Sequence, residues 1–254
     1  MHHRMHRDHM HRAQGFNREC EEALMTRVLV LDDHPMVLQG LRQLLRDAGV
    51  NDVVLAQSVD EGFRLCQIQK PNLVIVDLAL QTGSLGGLSF IRNLRLHDQH
   101  TPILVFTMHS DPVIVSRTIE AGATGYILKD APPEELLNAI EKVRKGRPYL
   151  SHNLASEVAF MEARGTANPL RNMTVRELQT LALVAEGKPY GVIAEQLHVS
   201  YKTVANTCTT LKAKLGVRTL ADLMRVALKY FAMDDVFFKS GFKASNGPNK
   251  PEIS

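Results

Sequence analysis

Between residues 26 and 145, short runs of unbroken apolar side chains alternate with stretches whose apolar residues recur every three or four positions. The unbroken runs are VLVL (28–31), VVLA (53–56), LVIV (73–76), ILVF (103–106) and GYIL (125–128). Each has strand length and is followed by helical spacing. Leu38, Leu41, Leu44 and Leu45 share one helical stripe, as do Leu136, Leu137, Ile140 and Val143. A strand that is apolar at every residue is covered on both faces, the condition of a parallel sheet flanked by helices. Five strands alternating with five helices predict an α/β unit. Right-handed crossovers narrow it to a doubly wound (βα)5 sheet of the flavodoxin-like kind.

The pattern then changes. Gly146, Pro148, Gly165 and Pro169 punctuate the next stretch. SHNLASEVAFMEA (151–163) predicts a connecting helix, and RGTANPLRN (164–172) a linker. Four helical segments follow with no strand pattern. MTVRELQTLALVAEG (173–187) opens with the Thr174–Glu177 spacing of a capping box and stops at Gly187. PYGVIAEQL (189–197) predicts a short helix, HVS (198–200) a turn, and YKTVANTCTTLKAKL (201–215) a longer helix capped by Ser200. Two helices about a tight turn form a helix-turn-helix, whose second helix enters the DNA major groove. A small helical bundle without a ligand has the same periodicity. Ile193, Ala194, Leu197, Val199, Val204, Leu211 and Leu215 fit a core either way.

A length of 254 residues favours two domains. The expected divisions are an α/β domain at 25–147, a connecting helix and linker at 148–169, and a small all-α domain at 170–233. A His-rich leader (1–24) and a C-terminal tail (234–254) are expected to be disordered. The five leader histidines form no fixed ligand geometry, and translation begun upstream of Met25 would also explain them. Charge separates the halves: 12 Lys/Arg face 14 Asp/Glu over 25–145, but 9 face 4 over 170–231. A basic second half fits an anionic partner, nucleic acid first. Three scattered cysteines argue against a disulfide framework. No signal peptide and no apolar run of membrane-spanning length is visible, so a cytoplasmic protein with no membrane partner is expected.

The chemistry gathers at the strand ends. Strand 1 ends in Asp32-Asp33, strand 3 in Asp77, strand 4 in Thr107 and strand 5 in Lys129. In a doubly wound sheet these ends form one rim, where ligands bind. Each residue alone reads as a cap, a β-former or a solvated charge. Together they form a site for a hard divalent cation such as Mg2+, with a carboxylate free to attack phosphorus and Lys129 and Thr107 holding phosphoryl oxygens.

LVLDDHP, VIVDLAL, VFTMH and GYILKD resemble the receiver domain of two-component response regulators over 27–145. That resemblance implies Asp77 as the acceptor of a phosphoryl group from a sensor histidine kinase. It implies Mg2+ bound by Asp33, Asp77 and the carbonyl of Ala79, with Asp32 acting through water. Thr107 and Lys129 would contact the phosphoryl group, and Tyr126 takes the place of the switch aromatic. One departure is the loop QTGSLGG before Leu88, where the family's Pro four residues after the acceptor is Gln81. Residues 173–227 resemble the LuxR-type helix-turn-helix, through TVREL, AEG, IAEQLHVS, KTVAN and KLGVRT. The two together imply the NarL/FixJ class, a phosphorylation-controlled transcription factor that binds double-stranded DNA as a homodimer. By position Lys202, Thr203, Ala205, Asn206 and Thr209 face DNA, and Lys188 and Lys212 touch phosphates. Ala205 and Thr207 stand where the family often has a cation and a His, which predicts a weaker salt dependence. The last helix, TLADLMRVALKYFA (219–232), resembles the family's dimerising helix through Leu220, Leu223, Val226 and Ala227. Two rivals remain at this level: a receiver that works without phosphorylation, and a Mg2+-dependent phosphohydrolase with an aspartate nucleophile.

Overall fold

The computed structural model describes residues 26–80, 85–164 and 168–231. The expected leader and tail, and part of the loop after Asp77, lie outside the described residues.

Five strands form where the apolar runs fall: β1 (Arg27–Leu31), β2 (Asp52–Ala56), β3 (Leu73–Val76), β4 (Ile103–Thr107) and β5 (Gly125–Leu128). The helices between them are α1 (Pro35–Asp47), α2 (Val59–Gln69), α3 (Gly86–His97), α4 (Pro112–Glu120) and α5 (Pro133–Arg144). A sixth strand, β6 (Tyr149–Leu150), pairs with β5. The sheet is parallel throughout, in the order β2-β1-β3-β4-β5-β6. β6 falls in the segment expected as connector. Two residues are too few for a periodic signal, and Gly146 and Pro148 mask the pair further.

Alternate residues of each strand feed two cores. Val28, Val30, Ile75, Leu104 and Ile127 pack under α1 and α5. Leu29, Leu31, Val74, Val76, Ile103 and Val105 pack under α2, α3 and α4. Burying one such side chain is worth roughly 1.5–3 kcal/mol. The paired layers hold the strands in one register, and that register places the rim residues. The chain order reverses between β1 and β3, so Asp32, Asp33 and Asp77 leave neighbouring strands at the switch point.

After α6 (His152–Arg164) and a 3-10 turn (Pro169–Asn172) come α7 (Val175–Ala185), α8 (Tyr190–Gln196), α9 (Tyr201–Leu215) and α10 (Leu220–Phe231). The capping box forms: Glu177 N–H donates to Thr174 Oγ1 at 3.2 Å, and Thr174 N–H to Glu177 Oε2 at 2.7 Å. Lys214 of α9 reaches back to the same carboxylate at 2.8 Å. Arg176 donates to the carbonyl of Leu197 at 3.0 Å, tying α7 to the end of α8. The turn between α8 and α9 passes through His198 at φ 52°, a left-handed residue that lets the chain reverse tightly. Ser200 caps α9, accepting from Thr203 N–H at 3.1 Å.

One glycine sets the distance between α3 and the rim. A Cβ on Gly87 would overlap the carbonyl oxygen of Asp77 and lie 2.8 Å from Leu78 Cα. Both are backbone atoms that cannot turn aside. Gly40 on α1 has nothing within 4 Å of such a Cβ. Gly40→Ala should therefore stabilise the fold by roughly 0.5–1 kcal/mol in urea melts. Gly87→Ala should destabilise it and displace Asp77. Equal effects of the two substitutions would contradict this packing.

Candidate phosphoacceptor site and nucleic-acid interface

Asp32 and Asp77 are each 2% exposed, an expensive position for a carboxylate without a partner. Lys129, entering from the end of β5, supplies one. Its Nζ lies 2.7 Å from Asp32 Oδ2 and 2.7 Å from Asp77 Oδ2. Burial lowers the Lys129 pKa, but the charges of Asp77 and Asp32 and their hydrogen bonds raise it further, leaving it above the ordinary lysine value. The ammonium thus stays charged at neutral pH. Ala79 N–H donates to Asp77 Oδ1 at 3.2 Å, which brings the Ala79 peptide to the acid.

Asp33 lacks such a partner. Its Oδ1 is buried without a hydrogen bond. His34 Nδ1 is 2.8 Å away, close enough for charge attraction but not aligned as a hydrogen bond. Desolvation raises the Asp33 pKa, His34 lowers it, and the charges of Asp32 and Asp77 raise it again; the result is above the ordinary carboxylate value. Asp32, Asp33, His34 and Asp77 each offer a ligand atom, and these atoms lie within 4.8 Å of one another. Sequence reasoning passed over His34. The signal was present in LDDHP, but the paired acids drew the reading. His34 N–H donates to Asp32 Oδ1 at 2.8 Å, holding that carboxylate in place.

Thr107 is fully buried, and its hydroxyl has no hydrogen-bond partner among the described residues. A buried hydroxyl left unpaired next to an acidic rim suits an oxyanion acceptor. Tyr126 is buried too, and its hydroxyl donates to the carbonyl of His109 at 2.7 Å. Burial, with the charges of Asp77 and Asp111, pushes that phenol well above the usual tyrosine value. Every residue expected at the rim is therefore brought to it, and Tyr126 lies beside it under α4.

The rim also touches the helical domain. Gln179 on α7 is 7% exposed, and its amide donates to Ser89 Oγ at 2.8 Å and the Leu85 carbonyl at 3.4 Å. Leu85 is the N-cap of α3, at the end of the loop that leaves Asp77. Arg117 on α4 donates to the Arg171 carbonyl at 2.6 Å. The His109 ring stands edge-on to Phe231 at the end of α10, with centroids 6.2 Å apart. Nothing in Gln179 or Phe231 marks them in sequence, because a contact between domains leaves no period.

On the outer side of α9, where the sequence places the DNA contacts, Lys202, Thr203, Asn206 and Thr209 are exposed, and Ala205 is partly exposed. Val204, Cys208 and Leu211 face inward. The Thr209 hydroxyl donates to the Ala205 carbonyl at 3.0 Å, which leaves its oxygen to act as an acceptor. Lys212 is partly buried, and Lys188 pairs with Glu186 at 2.8 Å. In α10, Leu223 and Ala227 lie in the core, whereas Leu220 and Leu228 are exposed.

An uncompensated carboxylate predicts a trade between stability and cation binding. Without divalent cation at neutral pH, Asp33→Asn should melt above the parent. Added Mg2+ should raise the parent's melting temperature by mass action and the variant's much less. A variant that melts lower, or gains as much from Mg2+, would contradict this charge balance.

A family model described as the response regulator receiver domain matches residues 28–141. Another, described as bacterial regulatory proteins of the luxR family, matches 171–227. The methanol utilization control regulatory protein MoxX of Paracoccus denitrificans is 36% identical over 85% of this chain and 97% of its own. The oxygen regulatory protein NreC of Staphylococcus aureus is 35% identical over 80% of this chain and 97% of its own. Among solved structures, RcsB of Salmonella enterica serovar Typhimurium, bound to a promoter with the phosphomimetic BeF3−, superposes with a TM-score of 0.64. It is 26% identical, over 80% of this chain and 98% of that one. Among the described residues, no helix is long and apolar enough to cross a membrane. The chain belongs to the response regulators that join a receiver domain to a LuxR-family helix-turn-helix.

Proposed function

We propose that this protein is a cytoplasmic transcription factor whose DNA binding is controlled by phosphorylation of Asp77 by a sensor histidine kinase. The observation that carries the reading is the bridge from Lys129 to Asp32 and Asp77, with the unpaired Thr107 hydroxyl buried at the same rim. An Asp77 carboxylate oxygen would attack the phosphorus of the kinase's phosphohistidine, forming a P–O bond as the P–N bond breaks and the kinase imidazole leaves. Lys129 and Thr107 would hold the transferred oxygens, so receiver chemistry ends at its own phosphotransfer and slow dephosphorylation. Mg2+ fits the donor set of Asp33, Asp77 and the Ala79 carbonyl, with Asp32 acting through water. Bound there, it would offset the acids' repulsion and the charge that develops in transfer.

The output follows from the contacts beneath the rim. Tyr126 holds His109, His109 packs on Phe231, and Gln179 holds the end of the Asp77 loop. A phosphoryl group that draws Thr107 inward would disturb both attachments and release the output domain. One way to hold such a protein inactive would be for the receiver to mask the DNA-reading helix. Instead α7 and the end of α10 carry the attachment, and the outer face of α9 stays open. Release would therefore act on how two output domains pair. Leu220 and Leu228 on α10 supply an exposed apolar edge for such a homodimer. The dimer would place two α9 helices in successive major grooves, where Asn206 suits a bidentate contact to adenine. The relative RcsB was solved on promoter DNA in the presence of a phosphomimetic, which fits DNA binding by the phosphorylated state.

The test is incubation with acetyl phosphate and Mg2+, read by intact mass and by promoter-fragment binding. One phosphoryl adduct on the parent, none on Asp77→Asn, and tighter DNA binding only for the parent is the expected result. Asn206→Ala should keep the adduct and lose discrimination at one base step. DNA binding unchanged by the adduct would contradict the switch and favour a receiver that acts without phosphorylation.

A further inference from the structure

Where the two domains meet, a cleft of about 580 Å³ opens between α3, α4 and the start of α7. Three guanidiniums line it: Arg92 from α3, Arg117 from α4 and Arg171 from the 3-10 turn. Glu120 is the single acid in the lining, and it is engaged with Arg117 at 2.9 Å. Arg117 also spends its other amino group on the Arg171 carbonyl. The side chains of Arg92 and Arg171 have no ion pair or hydrogen bond among the described residues. The fold therefore gathers three like charges around one cavity and compensates one of them.

We propose that this cleft binds a small di- or triphosphate anion that bridges the receiver and output domains. Guanidinium forks pair bidentately with phosphate oxygens, and the unpaired forks of Arg92 and Arg171, together with the remaining N–H groups of Arg117, match an anion with oxygens on several faces better than a single carboxylate. Arg92 and Arg117 belong to the receiver, and Arg171 to the segment entering the output domain. A ligand held by both sides favours the docked arrangement over any in which the domains part. Met173 and Val175 give one wall an apolar surface, which leaves room for a nucleoside on the phosphate chain. The binding needs no phosphoryl group at Asp77; if phosphorylation releases the docked arrangement as proposed above, it should weaken this binding by reciprocity.

Isothermal titration of the full chain in EDTA, with tripolyphosphate and separately with ATP, tests the site. EDTA keeps the acidic rim free of metal, so metal–anion complexes cannot mimic the result. Saturable binding at one site is expected. Arg92→Ala and Arg171→Ala should each weaken it at least five-fold, because each removes an unpaired fork from a different domain. Neither side chain supports the fold, so both variants should keep the parent's melting curve. Arg46→Ala/Arg64→Ala, on exposed receiver positions away from the cleft, should leave binding unchanged. Tighter binding of ATP than of tripolyphosphate would support a nucleotide ligand, and equal or weaker binding an inorganic one. No saturable binding, or binding that survives either Arg92→Ala or Arg171→Ala intact, would overturn the bridging site.

Discussion

Two carboxylates that are almost wholly buried share one ammonium. Lys129 lies 2.7 Å from both Asp32 and Asp77, and the rest of the receiver is arranged so that it can. An unpaired buried charge costs several kcal/mol, and removing one partner of such a pair typically costs about 3–5 kcal/mol. The common register of β1, β3 and β5 makes the bridge possible, because each contributes one member from its end. The bridge also explains why Asp33 remains poorly compensated. The single lysine is already spent, and a cation is the natural remaining partner. A site with one charge too many is held ready for a ligand that brings positive charge or consumes negative charge.

The same rim meets the output domain at two attachments. One runs from the Asp77 loop through the Leu85 carbonyl to Gln179. The other runs from Tyr126 through His109 to Phe231. His109 is two residues past Thr107 and Leu85 ends the loop that leaves Asp77, so both attachments adjoin groups that would feel a phosphoryl charge. A hydrogen bond to a loop carbonyl and an aromatic edge contact are each modest, worth on the order of 1 kcal/mol. Arg117 adds a third contact at the Arg171 carbonyl, and one buried apolar cluster runs from Leu88 and Ile114 of the receiver to Leu178 and Phe231 of the output domain, so a local electrostatic change acts on the polar part of the seam.

Most of the fold was legible because its elements are long enough to carry a period. The five apolar runs became strands, and the strand ends brought Asp32, Asp33, Asp77, Thr107 and Lys129 to one rim. The capping box at Thr174 and Glu177 and the Ser200 cap were legible for the same reason: their partners are three residues apart. Features that depend on distant partners were not. β6 is two residues long, and Gly87 matters only because α3 presses on the Asp77 carbonyl. Gln179 looks like any helix residue until α7 is docked. His34 is a lesson of a different kind, since it stood beside the acids and was overlooked for them. In α10 the expected stripe divides, because a period does not say which neighbour a face meets: Leu223 and Ala227 lie in the core, Val226 is partly buried and Leu220 is exposed.

The central claim is that charge at Asp77 loosens the hold of the receiver on α7 and α10. Hydrogen exchange on the full chain, with and without acetyl phosphate and Mg2+, reads this directly. The account predicts faster exchange in Val175–Ala185 and at the end of Leu220–Phe231 when Asp77 is phosphorylated, with β1 and β3 unchanged and no effect in Asp77→Asn. Unchanged exchange at both attachments, in a sample shown by mass to carry the phosphoryl group, would contradict it.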